Sequence, residues 1–399
     1  MTARRQHVAV VSQNADLALD MRPRAEAEAL AEAGFDVTLV GGTRDARRVR
    51  ELTAPAVELE LFRLPAPAGS AAGQVVELGS SFLAVARALR RLARRRPIDI
   101  LHGSSPPDNL WLVCPLVRLA QGFKPRFVFD QHDVAPVLLT EKYGRGSVMR
   151  LLATALRSLE RASFKRASLT VFANADQRRR AEQSGLLRGP AVVVPYGWSL
   201  PDAQPNGRWR QDGERLIAYV GTINEQDCVD HLVEAVALLD AGGPARIVLA
   251  GDGSARRGAE RRAQELGIAD RCTWLGWVTA REEIASLVRS ADVCVAPETA
   301  SEFNELCSFV KLGEYMSAGA PVVAHVLPQT KLLCGDTIEY AEDMGAEALA
   351  RAIERVLVDP DRAAELGSAA LTRFESSLRW GSVGAPALVH AYRTVFGER

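Results

Sequence analysis

Short apolar runs rich in Val, Ile and Leu recur along this chain with segments of helical spacing between them, and the whole series restarts once near the middle. Runs at 7–12, 35–41, 57–64, 99–103, 126–130, 168–173 and 191–195 read as strands, and segments 24–33, 74–95, 108–120, 147–165 and 175–185 read as helices. The second series begins at 215–221 and continues at 245–253, 272–278, 292–297, 321–326 and 337–341. Strands that alternate with helices are parallel strands joined by crossovers, so the pattern predicts an α/β chain of two Rossmann-like β/α/β domains. The stretch 196–214 (YGWSLPDAQPNGRWRQDGE) keeps neither period and is rich in Pro, Gly and polar residues. The expected organisation is a first domain over 1–198, a linker over 199–214, a second domain over 215–379 and a closing amphipathic helix over 380–399.

With 47% hydrophobic and 25% charged residues in 399, the chain has the proportions of a soluble globular protein, which excludes disorder as its main state. No uncharged apolar run approaches the roughly 18 residues of a membrane span, and the first apolar stretch is too short for a secretory signal. A cytoplasmic protein is expected, and no nucleic-acid partner. The six cysteines (114, 228, 272, 294, 307 and 334) show no C-x-x-C spacing and read as free thiols. Residues 1–200 hold 29 Lys and Arg against 19 Asp and Glu, and the remainder 20 against 30. The basic half could lie peripherally against anionic lipid, with ARALRRLARRR (86–96) as a cationic helix face, or it could simply be solvated.

In open parallel sheets, ligands bind beyond the carboxyl ends of the strands. Three glycine-bearing loops follow such ends: Gly221-Thr222-Ile223-Asn224, Gly251-Asp252-Gly253-Ser254 and Gly276-Trp277-Val278. Each could bring backbone close to a phosphate or base, and each could be a turn. None fits a dinucleotide or Walker fingerprint. The strongest local feature is Asn304-Glu305-Leu306-Cys307-Ser308-Phe309-Val310-Lys311-Leu312-Gly313-Glu314, followed by a Gly stop and an apolar strand. A helix beginning near Ser308 would aim its positive end at a diphosphate, Lys311 would add a charge, and Glu314 would lie one turn on. Asp359-Pro360-Asp361, superficially a metal motif, reads as a turn and helix start.

These residues resemble the retaining nucleotide-sugar glycosyltransferases of family 4, which have the GT-B fold. The ordered set YVGTINEQDCVDHLVEA, VLAGDGS, LGWV, SADVCVAP and FVKLGEYMSAGAPVVA carries the resemblance in the second half. RPRAEAEALAEAGFDVTLVGG, SSPPDN and VFDQHDVAP carry it in the first. The resemblance implies an N-terminal acceptor domain, a C-terminal donor domain facing it across a cleft, a last helix returning to the first domain, and no required metal or other cofactor. Glu314 matches the second glutamate of the family's Glu-x7-Glu motif, which holds the donor ribose. Leu306 stands where the first should be, with Glu305 beside it. Thr222 and Asp227 occupy the places of two cations that grip the diphosphate in many members. A subgroup resembling polysaccharide fucosaminyltransferases keeps a Lys three residues before the glutamate, which would let Lys311 replace the lost charge.

His132 matches the family histidine that meets the donor sugar, and Asp133 either orients its ring or caps the next segment. Asn14, Arg22 and Arg24 are the expected acceptor contacts. Gly221, Thr222, Ile223, Asn224, Asp252, Gly253, Glu305, Leu306, Cys307, Ser308, Phe309 and Val310 are expected around the donor, with Trp277 and Val278 flanking its base unless Trp277 belongs to the core. The implied reaction moves a sugar from a nucleotide diphosphate sugar, with uridine the favoured base, to a hydroxyl or amine on a saccharide, lipid-linked or small-molecule acceptor. His132, Lys311 and Glu314 are its central residues. The rivals are a nucleotide-sugar 2-epimerase and a donor-binding protein without turnover.

Overall fold

Each predicted apolar run supplies one strand. The first half forms β1 (His7–Ser12), β2 (Asp36–Thr43), β3 (Val57–Arg63), β4 (Ile100–Ser105), β5 (Arg126–Gln131), β6 (Leu169–Phe172) and β7 (Ala191–Val193). They make one parallel sheet in the order β3-β2-β1-β4-β5-β6-β7. The second half forms β8 (Arg215–Val220), β9 (Ala245–Ala250), β10 (Cys272–Gly276), β11 (Val293–Ala296), β12 (Val322–His325) and β13 (Glu339–Ala341). These make a second parallel sheet, β10-β9-β8-β11-β12-β13. The computed structural model describes residues 4–65, 71–144, 146–209, 213–239 and 245–397. The chain divides into a first unit, Met1–Pro195 with Gly384–Arg399, and a second unit, Tyr196–Val383.

Helices cover both faces of each sheet, which is why the central strands lack polar alternation: every residue of β1 and β4 is buried. In the second unit, Ile217, Ile247 and Leu249 face a cluster with the helices Val229–Ala237 and Ala346–Leu357. Ala218, Val248 and Cys294 face another with Arg281–Ser290 and Val310–Ser317. Strand order reverses between β1 and β4 in the first sheet and between β8 and β11 in the second. Ligand sites of doubly wound sheets lie at such reversals.

Several boundaries differ from expectation. Leu200 and Trp209, read as linker, join the core of the second unit, so 199–214 is structural, with residues 210–212 outside the described residues. The closing segment is one π-turn (Trp380–Gly384) followed by the helix Ala385–Phe396 rather than a single helix from 380, and residues 398 and 399 lie outside the described residues. The helix expected near Ser308 begins at Val310, after a 3-10 turn at Asn304–Leu306. Two helices carry no clear apolar period and were not expected: Ala46–Leu52, capped by Asp45, and Ala135–Tyr143, which has Pro in its first turn. Asp359 caps the helix Pro360–Ser377 by accepting from Arg362 N at 2.9 Å, the turn role read from sequence.

Candidate active site

In the second unit, the loops after β8 and β9 interlock. A Cβ on Gly251 would lie 1.7 Å from the Gly221 carbonyl oxygen, and one on Gly253 would lie 2.2 Å from the Ile223 oxygen. Only glycine permits backbones this close. Ile223 N donates to Asp252 O at 3.0 Å, and Ala255 N donates to Ile223 O at 2.9 Å. Ile223 therefore serves the scaffold: its side chain is fully buried and both its backbone polar groups are used, which corrects its reading as a donor contact. Asn224 Oδ1 accepts from Ser254 N and Oγ, each at 3.2 Å, and ties the two loops together. Asp252 folds back on Gly253 N at 2.8 Å and lies 3.3 Å from Arg256.

Asp227, which stands where a cation was expected, caps this turn. Its Oδ2 accepts from Thr222 Oγ1 at 2.8 Å and from Asn224 N at 2.9 Å. Lys311 reaches the same place from the first turn of the helix Val310–Ser317, and a Cβ on Gly221 (φ +151°) would lie 2.9 Å from its Cε. Its ammonium donates to Tyr219 Oη at 3.0 Å, contacts Glu298 and lies 3.9 Å from Asp227. Glu298 is 1% exposed. Burial works against charge on Lys311, but Glu298 and then Tyr219 and Asp227 hold it well above the usual lysine range. Burial pushes the Glu298 carboxyl up, with Lys311 pulling the other way. Lys311 is thus an already compensated ammonium, a revision of the lone charge expected from sequence.

Glu314, one turn on, points elsewhere. Arg281 Nη1 donates to its Oε1 at 2.9 Å and Arg281 Nη2 to Ser199 O at 3.1 Å. Burial raises the Glu314 carboxyl, and Arg281 opposes that. Trp277 is 62% exposed, so it is not a core residue, while Val278 packs partly against the core. Glu305 is exposed on its 3-10 turn with Leu306 half-buried beside it, as are Cys307 and Ser308; Val310 is exposed. Phe309 is buried in the core, with its ring centroid 5.7 Å from the Lys311 ammonium. Glu298, Tyr219 and Arg281 went unnoticed in the sequence. Glu298 had a signal, since it stands two residues past β11, at the strand-order reversal.

In the first unit, Arg22 is 1% exposed and unable to touch an acceptor. Its Nε lies 2.8 Å from Glu26 Oε1, its Nη2 3.0 Å from Asp130 Oδ1, and its Nη1 donates to Val194 O at 2.8 Å. The same carboxylates flank His102, whose Nε2 is 3.3 Å from Glu26 and 3.4 Å from Asp130 and whose Nδ1 is 2.6 Å from Tyr392 Oη. His132 Nε2 meets Asp130 Oδ2, so Asp130 orients this ring where Asp133 was expected to. Nor does Asp133 cap the next helix, whose N-cap is Val134 with no side-chain bond. Glu26, Asp130 and His132 each bring one potential ligand atom within 4.8 Å of the others, but Arg22 already supplies positive charge to both carboxylates. Arg24 is also buried and bonds Asp20 O at 3.3 Å, against its expected acceptor role. Asn14 accepts from Ser81 Oγ at 3.4 Å.

This buried network gives stability a definite pH dependence. Burial lowers the pKa of His102, but hydrogen bonding and charge from Asp130 and Glu26 outweigh it and raise the value from 6.5 to about 9. Protonated His102 therefore stabilises the fold fully below about pH 6.5, and that contribution is lost as pH rises through about 9. Asp108 acts in the same direction at lower pH, because burial raises its carboxyl from 3.8 to about 7. Urea midpoints are expected to fall between pH 6.5 and pH 9; below pH 6.5, His7 and His325, whose values burial lowers, oppose Asp108, and Asp108→Asn removes a falling contribution there. Stability that climbs across this interval would contradict the assignment.

Two glycosyltransferase family models match the chain: "Glycosyl transferase 4-like domain" over residues 21–197 and "Glycosyl transferases group 1" over residues 214–359. The chain belongs to the group 1, family 4 glycosyltransferases, with the GT-B fold. It is 30% identical over 180 residues to a GDP-mannose-dependent alpha-(1-6)-phosphatidylinositol dimannoside mannosyltransferase of Mycobacterium tuberculosis, covering 43% of this chain and 45% of that one. It is 31% identical over 162 residues to an alpha-D-kanosaminyltransferase of Streptomyces kanamyceticus, covering 40% of each. The chain thus spans less than half the length of these relatives. A sucrose-phosphate synthase structure from Thermosynechococcus elongatus shares the fold with a TM-score of 0.76 at 23% identity, covering 98% of this chain and 99% of that one. No helix among the described residues is long and apolar enough to cross a membrane.

Proposed function

We propose that the chain moves a glycosyl group from a nucleoside diphosphate sugar, with uridine as the base, to a hydroxyl or amine of a saccharide, glycolipid or small natural product, with retention at the anomeric carbon. The observation that carries this reading is the cradle at the carboxyl ends of β8, β9 and β11, where interlocked glycine loops meet Lys311 in a chain of this family. The bond from the anomeric carbon to the diphosphate oxygen breaks, the acceptor atom bonds to the same face of that carbon, and its proton passes to the leaving phosphate. Oriented N–H groups and Lys311 take up the developing charge, and because they are held before reaction they need no reorganisation. Glu314, held by Arg281, accepts from the donor ribose and Trp277 covers the base; in the first unit Asp130 fixes the ring of His132, the residue that the family resemblance assigns to the sugar. A likeness to fucosaminyltransferases is supported only by Lys311 standing three residues before Glu314. Exposed Arg87, Arg90 and Arg94 support peripheral contact with an anionic membrane face, on the cytoplasmic side.

Incubation with UDP- and GDP-sugars and a panel of glycolipid, aminoglycoside and sugar-phosphate acceptors tests the reading. Acceptor-dependent release of nucleoside diphosphate that survives chelation of divalent ions is expected. Acceptor-free interconversion of nucleotide sugars would point to a 2-epimerase. Binding without turnover would favour a donor-binding protein, a reading to which the prior pairing of Lys311 with Glu298 lends weight. Glu314→Ala is expected to weaken UDP-sugar binding by about tenfold, the loss of one charge-assisted hydrogen bond. Unchanged affinity by calorimetry would remove Glu314 from the donor site.

A further inference from the structure

The first unit carries a cavity that neither the buried network nor the donor cradle uses. Strands β2 and β3 end at Thr43 and Arg63, and Arg44, Leu64 and Pro65 just beyond them border, with Ser80, Ser81 and Ala84 of the helix Ala71–Arg95, an open cavity of about 610 Å³. That is the size of a small-molecule site. Arg44, Arg63, Ser80 and Ser81 line it, with Leu64 and Ala84 as apolar wall, and no lining side chain among the described residues is acidic. It lies beyond the carboxyl ends of parallel strands, where doubly wound sheets present ligands to solvent.

The two guanidinium groups differ in how far they are committed. Arg63 is exposed and makes no ion pair or hydrogen bond among the described residues. Arg44 Nη2 donates to Pro65 O at 3.2 Å, which holds its side chain across the end of β3. Asp16 lies 3.6 Å from Arg44, but it already accepts from Thr43 Oγ1 at 2.8 Å, Ala18 N at 3.1 Å and Arg44 N at 3.2 Å. One satisfied carboxylate against two guanidinium groups leaves the cavity positive. Ser81 is 1% exposed, and its Oγ lies 3.4 Å from both Gln13 Nε2 and Asn14 Oδ1. It therefore links the cavity wall to the end of β1, beside the strand-order reversal. Ser80 Oγ donates to Glu77 O at 2.9 Å and Ser81 Oγ to Leu78 O at 3.1 Å, so the grip falls to the arginines. Guanidinium forks match the oxygens of a tetrahedral anion better than they match a neutral sugar.

We propose that this cavity binds a phosphoryl group carried by the acceptor, with Arg63 and Arg44 as its cationic grip. That the ligand is the acceptor rests on the transferase reading; that the cavity binds phosphate does not. The shared chemistry is a phosphate ester, from either a soluble sugar phosphate or a phospholipid headgroup.

The test titrates the full chain with glucose 6-phosphate followed by phosphorus NMR, using the wild type, Arg63→Gln, Arg44→Gln and, as a control, the exposed Arg188→Gln. Arg63→Gln and Arg44→Gln are expected to weaken binding at least tenfold while Arg188→Gln, melting temperature and UDP affinity stay unchanged. Displacement of the sugar phosphate by water-soluble short-chain phosphatidylglycerol assigns the site to lipid headgroups, and failure to displace assigns it to soluble phosphates. No binding by the wild type, or equal binding by all four proteins, overturns the proposal. The two readings fail separately. Arginine-dependent phosphate binding without sugar transfer to any acceptor removes the transferase reading and leaves the site. Transfer to neutral acceptors that is unaffected by Arg63→Gln, together with no phosphate binding, removes the site and leaves the transferase.

Discussion

Lys311→Met is expected to cost about 3–5 kcal/mol of stability and to abolish measurable UDP binding, because it leaves Glu298 buried without its counter-charge. The informative comparison is the double variant Lys311→Met/Glu298→Met. Removing both charges together leaves no unpaired ion in a space that apolar side chains of similar volume can fill, so most of the lost stability returns. Donor binding is not expected to return, since the ammonium proposed to meet the diphosphate is still missing. Urea denaturation and calorimetric titration with UDP on the two variants separate these effects. If the double variant binds UDP as the wild type does, Lys311 has no part in the donor site.

The second large effect lies in the other unit. Arg22→Met strands Glu26 and Asp130, both fully buried, with only two histidines to offset them. A loss of about 3–5 kcal/mol is expected on the same ground. UDP affinity should be preserved in the protein that remains folded, because no part of this network contributes to the donor loops. An Arg22→Met protein of normal stability with a raised Michaelis constant for acceptor would instead restore Arg22 to the acceptor role that its place after β1 suggested.

The fold was legible because apolar periodicity reports burial directly. The central strands of a sheet covered on both faces are apolar along most of their length, and the runs at 7–12 and 215–221 show this without any knowledge of the partner strand. The donor cradle was legible to the same depth, as glycines after strands, but its charge balance was not. Asp227 looked like a missing cation because sequence order gives no sign that its carboxylate would turn back to cap Thr222 and Asn224. Glu298 and Lys311 stand 13 positions apart, in a strand-end loop and a helix, and only the fold makes them a pair. Arg22 misled for the opposite reason: arginines are mostly exposed, and its two carboxylate partners come from the next turn of its own helix and from β5.

The contact between Gly251 and the Gly221 carbonyl bears on how such a protein can change its preference for a nucleotide. Neither Gly251 nor Gly253 can gain a side chain without displacing the loop after β8, so laboratory evolution toward a new base has no freedom along this seam. Variation has to enter at the rim, through positions such as the solvent-facing Trp277. On the proposed donor site, a library built there is expected to retune which base is accepted and to leave the grip on the phosphates as it is.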